Sequence, residues 1–404
     1  MTVEVRPIGE NCNIKCVYCY QEGVRAAGNV RSDYRVAAMI DRLEAVGEPF
    51  TLFGGEIMLV DRDDLDALLA YGRERHGGSG LQTNGTLVGP DDLDRFADYQ
   101  VRLGISIDGP GPLNDARWVG SLAATRRATA RTEGLIATLI ERGRPPTLIV
   151  TLHRGNASAA RLPLLCGWLA FLDRAGIRRV RLHLLEIDDP AAGEALALSH
   201  EEGLAVLRRL RSLERGFSAL RFDLFDEIKA MLRGDDAATS CVFHPCDPYA
   251  TRAVTGVEGD GRLTNCGRTN KDGQGYLKAE GQGYLRQIAL HRTPYAEGGC
   301  RGCRFFLMCK GNCPGMAEQG DWRLRTRDCA VWLGLMTDAE AELVAEGERP
   351  LSLAPDRAAI EALAIAAWRE GLAPTIAALR ATVSAGEVTV AVDEPAADAA
   401  AVAA

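Results

Sequence analysis

Eleven of the twelve cysteines in this 404-residue chain fall at spacings that suit metal ligation. The run Cys12-Asn13-Ile14-Lys15-Cys16-Val17-Tyr18-Cys19 sets three thiols within eight residues. Three thiolates can hold three irons of one cubane cluster and leave the fourth iron without a protein ligand; a three-ligand zinc site is the competing reading. Either way one metal position stays open, as catalysis requires and a structural site does not. The other eight are Cys241, Cys246, Cys266, Cys300, Cys303, Cys309, Cys313 and Cys329. They make two sets of four, enough for two fully ligated 4Fe–4S clusters or for two structural zinc ions. Cys166 stands alone in the apolar run Leu162–Leu172 and reads as a buried free thiol.

To be useful, those thiols must be held by regular elements. β-rich runs at Val3–Pro7, Phe50–Phe53, Gly80–Thr83, Arg102–Ile107, Thr147–Leu152 and Arg179–Leu185 alternate with helical patterns at Tyr34–Val46, Asp61–Arg75, Asp91–Tyr99, Ala123–Arg142 and Leu162–Ala175. Such alternation specifies parallel strands with crossover helices. Six strands are too few for a closed eight-stranded barrel, so the expected fold is α/β, a partial (β/α)6 TIM-like barrel. The first cysteine loop then follows the first strand, on the rim where such folds carry their active sites. From about Arg233 the chain turns rich in Gly, Asp and Cys, with a hairpin expected over Thr251–Cys266 that turns at Gly259-Asp260-Gly261. Helices return between Trp332 and Thr382, those over Ala358–Arg380 reading as packing surface, and an Ala-, Asp- and Glu-rich tail reads as disordered. The expected divisions are 1–232, 233–335, 336–385 and 386–404.

Composition excludes several classes. Lys plus Arg number 47 against 55 Asp plus Glu, a net charge of -8 with no extended basic run, which argues against a duplex nucleic-acid partner. Met1–Gly9 lacks the apolar run of a signal peptide, and no stretch approaches the roughly 20 apolar residues of a membrane span. A soluble cytoplasmic protein, with no membrane partner, is expected.

The C-x3-C-x2-C run with Tyr18 before its third cysteine resembles the signature of the radical SAM superfamily. Gly54-Gly55-Glu56, Gln82-Thr83-Asn84-Gly85 and Ser106-Ile107-Asp108-Gly109-Pro110 follow in order, each at the end of an expected strand. The resemblance implies that Gly54, Gly55 and Glu56 bind the methionyl amino group of S-adenosylmethionine. It further implies that Ser106 approaches the ribose or carboxylate with Asn84 nearby, and that Tyr18 contributes to the adenine site. Ile57 stands where the family usually has Pro, which loosens the turn without removing a ligand atom. The C-terminal cysteines resemble a SPASM domain with Cys241 as an upstream eighth. By that resemblance Cys241, Cys246, Cys266 and Cys313 would hold one cluster, and Cys300, Cys303, Cys309 and Cys329 a more distant one. The chain would thus carry three 4Fe–4S clusters and S-adenosylmethionine, and would need an external electron donor.

The resemblance implies one-electron cleavage of S-adenosylmethionine to a 5'-deoxyadenosyl radical that abstracts hydrogen from a peptide or protein substrate. Auxiliary clusters would accept or relay the substrate's electron, the alternative being a chiefly structural role in this loop-rich domain. Three outcomes are weighed: a crosslink, thioether or epimer in a ribosomal peptide; formylglycine formation as in sulfatase maturases; and a non-catalytic iron–sulfur electron carrier. The maturase branch typically has Asp after the cysteine matching Cys266, whereas this chain has Gly267 and then Arg268. Asp247 could replace that base only in a rearranged loop. The first strand begins at Val3, so a leader is expected to be held by a separate protein, or directly by the barrel and C-terminal region. Acid–base candidates are Glu186 and His153 at strand ends, and His244 and Arg268 beside cysteines.

Overall fold

The computed structural model describes residues 2–26, 28, 33–186, 189–237, 239–248, 253–269 and 283–385. The expected tail, 386–404, lies outside the described residues. Two compact units are formed, Thr2–Leu224 with Thr255–Gly275, and Phe225–Val254 with Tyr276–Ala404.

The first unit is built on strands β1 (Thr2–Arg6), β2 (Lys15–Cys16), β3 (Phe50–Leu52), β4 (Gly80–Thr83), β5 (Arg102–Ser106), β6 (Arg117–Trp118), β7 (Thr147–Leu152), β8 (Arg179–Leu184), β9 (Arg221–Phe222), β10 (Val254–Glu258) and β11 (Leu263–Thr264). The main sheet runs β11-β10-β1-β3-β4-β5-β7-β8-β9. From β1 to β9 every pairing is parallel. Helices Val36–Val46, Arg62–His76, Pro90–Asp98, Leu122–Glu141, Leu162–Ala175 and His200–Glu214 supply the crossovers. All six expected strands are present, and the two-residue β9 adds a seventh. β1 and β9 are not neighbours, so the sheet stays open, as a partial barrel does. The expected hairpin forms, with Gly261 at φ +83° and its N–H bonded to the Glu258 carbonyl. It extends the main sheet beside β1, so it groups with the barrel although its sequence is continuous with the cysteine-rich segment.

Parallel strands covered on both faces usually read as unbroken apolar runs. Here they alternate. Val3, Val5, Leu52, Leu81, Ile105, Leu148, Val150, Val180 and Leu182 form one buried apolar face. The opposite face carries Glu4, Arg6, Gln82, Ser106, Thr151, Arg181 and His183, because successive residues of a strand point to opposite sides. A polar face at the heart of a barrel is where chemistry can be placed.

The second unit begins within helix Asp223–Arg233; its short turns carry Cys241, Cys246, Cys300, Cys303, Cys309 and Cys313, and Cys329–Ala345, Arg357–Arg369 and Ile376–Ser384 are its long C-terminal helices. Ile360, Ala364, Ile365, Trp368, Ile376 and Leu379 are buried, as packing helices require. Among the described residues no helix is long and apolar enough to cross a membrane.

Candidate active site

The first cysteine loop is pinned from two sides. Cys16 lies in β2, which pairs antiparallel with β6, Cys16 opposite Arg117. On the other side the Gly54-Gly55-Glu56 turn packs backbone to backbone against it: Gly55 N–H donates to the Gly9 carbonyl (3.1 Å) and Glu56 N–H to the Asn11 carbonyl (2.7 Å). A Cβ on Gly55 would fall 1.9 Å from Asn11 O, and Gly54 adopts φ +133° with its missing Cβ 2.6 Å from Gly9 O. The two glycines are therefore explained by the chain's own cysteine loop.

Glu56, fully buried, ties two rim turns together. Its Oε1 accepts from Met58 N (3.1 Å) and Thr83 Oγ1 (2.6 Å), and its Oε2 from Asn84 N (2.8 Å). Burial raises its pKa, and those three donors pull it back only in part. Three of about four lone-pair positions are thereby taken, leaving one for a cationic amine. Asn84 continues the chain of contacts: Nδ2 donates to Asn13 Oδ1 (2.8 Å) and lies 3.9 Å from Cys12 Sγ. Ser106 accepts from Gln82 Nε2 (2.8 Å) across the neighbouring strand.

All three thiols of the loop are free. Burial raises the pKa of Cys12 and Cys19 and pushes that of Cys16 up to about 12, the Arg117 guanidinium opposing the rise and the neighbouring thiols adding to it. Arg25 Nη2 lies 3.6 Å from Cys19 Sγ and can donate to it. Three soft sulfur donors with cationic neighbours fit an iron–sulfur cluster, whose thiolate ligands need compensation of negative charge.

Tyr18 is buried, and its hydroxyl donates to Asp108. Asp108 is fully buried and central to a group that sequence reasoning missed. It also accepts from Arg117 Nη2 (2.9 Å) and Thr151 N (3.1 Å), and His153 Nε2 stands 3.4 Å away. Burial would raise its pKa, but Arg117, His153 and Tyr18 win and lower it to about 2. His153 Nδ1 accepts from Gly155 N (3.0 Å), which assigns the ring proton to Nε2, facing Asp108. His153 thus caps a short helix, fully buried, with both ring nitrogens engaged. The available signal was Asp108 in the Ser106–Pro110 motif: a carboxylate at a buried strand end needs a cation.

Glu186 and Arg268, weighed separately in the sequence, come together: Arg268 Nε lies 2.7 Å from Glu186 Oε2. The guanidinium sits 5.0 Å from the Tyr20 ring centroid, and Arg268 N–H donates to Cys266 Sγ (3.4 Å). Arg6 was also missed. Its Nη2 pairs with Glu258 (2.7 Å) and donates to Thr264 Oγ1 (2.6 Å) and the Asn265 carbonyl (2.8 Å), beside Cys266. Burial pushes Glu10 up to about 7 despite Arg6 3.9 Å away.

In the second unit, Cys300, Cys303, Cys309 and Cys329 gather within electrostatic reach of one another. Burial is the main reason Cys300 is pushed well up and Cys309 up to about 12, and Cys303 and Cys329 add to both. Between Cys309 and Cys313, Lys310 (φ 52°), Gly311 (φ 77°) and Asn312 (φ 56°) are all left-handed, which costs on the order of 1 kcal/mol or more for each non-glycine. Arg286, fully buried, holds this turn by donating to the carbonyls of Lys310 (3.3 Å), Gly311 (2.9 Å) and Asn312 (2.8 Å). His244 sits between Cys241 and Cys246 with Nε2 3.1 Å from the Thr239 carbonyl, and burial lowers its pKa. Among the described residues no three His, Cys, Asp or Glu side chains stand close enough to share a single metal ion.

Residues 7–157 match the Radical SAM superfamily. The Fe-coproporphyrin III synthase of Methanosarcina barkeri is 36% identical over 107 residues, 26% of this chain and 26% of that protein. The cysteine-type anaerobic sulfatase-maturating enzyme of Clostridium perfringens is 27% identical over 128 residues, 28% of this chain and 35% of that protein. The matched stretch thus spans about a quarter to a third of these relatives. In fold the chain is similar to native anSMEcpe with bound AdoMet and Cp18Cys peptide, at TM-score 0.62 and 16% identity, covering 85% of this chain and 98% of that one. It is also similar to Streptococcus suis SuiB bound to precursor peptide SuiA, at TM-score 0.52 and 14% identity, covering 82% and 75%.

Proposed function

We propose that this chain, whose residues 7–157 are a radical SAM domain, is an enzyme that modifies a peptide or protein through S-adenosylmethionine and three 4Fe–4S clusters. The observation that carries the reading is the rim itself. Three free thiols, Cys12, Cys16 and Cys19, lie on a loop locked to the Gly54–Glu56 and Thr83–Gly85 turns at the ends of adjacent parallel strands. A cluster held by Cys12, Cys16 and Cys19 would supply one electron to S-adenosylmethionine, whose cleavage to methionine and a 5'-deoxyadenosyl radical would provide the hydrogen-abstracting group. The chain's part is to hold those groups. Glu56 keeps one acceptor position for an amine, Asn84 and Ser106 offer polar groups on the same rim, and Asp108 fixes Tyr18 within the cluster loop.

A peptide substrate is supported by the peptides bound in both structural neighbours. Between the two peptide outcomes, a crosslink, thioether or epimer is favoured over formylglycine by Gly267 and Arg268. The residue that follows Cys266 has no side chain to act as a base, and a Cβ there would lie 2.6 Å from Arg6 Nη1. The next residue is a cation paired with Glu186. The formylglycine reading keeps a place because of the 98% coverage of anSMEcpe. Offering the reconstituted enzyme a sulfatase-type Cys or Ser peptide separates the two: formylglycine in the product would decide for the maturase.

The central test is anaerobic reconstitution with S-adenosylmethionine and a reductant. Ala at Cys12, Cys16 or Cys19 should abolish 5'-deoxyadenosine, whereas Ala at Cys300 or Cys309 should leave some of it and stop substrate modification. Equal behaviour of all five variants would overturn the assigned division of labour, and iron-free protein that retains activity would overturn the enzyme reading itself.

A further inference from the structure

Arg286 is the largest charged side chain among the described residues of the second unit to be wholly removed from water. Its guanidinium donates five hydrogen bonds, all to backbone carbonyls: Trp322 (2.7 Å), Lys310 (3.3 Å), Asn312 (2.8 Å), Gly311 (2.9 Å) and Leu324 (3.1 Å). Among the described residues no carboxylate pairs with it; Asp247 instead accepts from the Arg286 backbone N–H (3.4 Å). Carbonyl dipoles satisfy the donors but supply no net negative charge, and a buried unpaired charge is strongly unfavourable.

As cluster ligands the neighbouring cysteines would be thiolates and would supply negative charge. Cys246 and Cys313 act on Arg286 together with Cys300 and Cys309. The first two belong to one assigned quartet and the last two to the other. The three carbonyls Lys310 to Asn312 that face the guanidinium make up the whole span between Cys309 and Cys313, which are ligands of different quartets. One cation therefore grips the three-residue link between two ligands assigned to different quartets, with thiols of both sets around it. A 4Fe–4S cluster with four thiolates carries net negative charge in its oxidised form and more when reduced.

We propose that Arg286 is a positioning and charge-compensating residue shared by both auxiliary clusters, fixing the turn between their ligands and favouring the reduced form of each. The inference rests on the two-cluster reading above. Its charge raises both reduction potentials together, which keeps the two clusters matched for passing an electron between them.

The test uses the full chain with Cys12, Cys16 and Cys19 all changed to Ala, so that only auxiliary clusters contribute. Iron and sulfide content comes first: about eight irons per chain is expected, and zinc in their place would overturn the two-cluster reading and the inference with it. Each cluster's potential is then measured by anaerobic redox titration followed by electron paramagnetic resonance. Arg286→Gln should shift both potentials to more negative values, while Arg286→Lys, which keeps the charge, should leave both nearer the parent's. Full iron in Arg286→Gln with unchanged potentials, or a shift in one cluster alone, would overturn the shared role while leaving the two-cluster reading intact. If Arg286→Gln holds no iron, Arg286→Lys decides. Full iron with both potentials near the parent's supports the proposal, and loss of iron or a large shift there overturns it.

Discussion

At the scale of single residues, the rim is held by close backbone contact and by buried charge. Gly55→Ala should fail for a steric reason, since its Cβ has no room beside Asn11 O. Reconstituted protein should lose 5'-deoxyadenosine formation while keeping the iron of the auxiliary clusters; retention of the product would show that the cysteine loop can move away at little cost. Asp108→Asn should act through stability first. It strips the partner from Arg117, and breaking a buried ion pair costs about 3–5 kcal/mol. Tyr18→Phe removes one hydrogen bond to a carboxylate and should cost only about 1–3 kcal/mol. Urea denaturation of the two variants would test that ranking, and equal losses would mean that Asp108 matters mainly through Tyr18.

At the scale of elements, the last strand of the barrel depends on a carboxylate in an unexpected place. Asp173 lies in the final turn of helix Leu162–Ala175, where negative charge opposes the helix dipole. It accepts from Ser218 N (3.1 Å), Ser218 Oγ (3.1 Å), Ala219 N (2.8 Å) and Leu220 N (2.8 Å), the residues that lead into β9. Those donors lower its pKa from 3.8 to about 2, against a raising effect of burial. A carboxyl with a depressed folded pKa stabilises above its unfolded value, and that stability fades as pH falls from about 4 toward 2. Asp173→Ala should therefore cost about 1–3 kcal/mol at neutral pH, with the gap to wild type closing in acid. Denaturation curves at neutral pH and near pH 3 would show it; a gap independent of pH would mean that the donors matter little.

At the scale of the whole molecule, alternation of strand and helix and the placing of motifs at strand ends were legible in the chain. The six parallel strands lie where β-rich runs and crossover patterns put them. The second unit was less legible. Its turns are short and its left-handed run at Lys310–Asn312 includes two residues that are not glycine, a conformation that local preference disfavours. Arg286, forty residues from Cys246, stands in a stretch with no helical periodicity in the sequence, although Leu285–Arg292 folds as a helix. Its burial at the meeting of five carbonyls is a product of the tertiary structure alone.

What the chain determined by itself was therefore the set of candidate ligand thiols, the α/β architecture and the order of rim motifs, because ligand spacing, strand–helix alternation and glycine placement are local properties. The tertiary structure decided which charges meet. It paired Glu186 with Arg268, gave Asp108 to Tyr18 and Arg117, and set Arg6 beside Glu258. The physical reason is that a buried charge must find its partner wherever the fold brings one, and these partners lie 9 to 252 positions apart in the sequence.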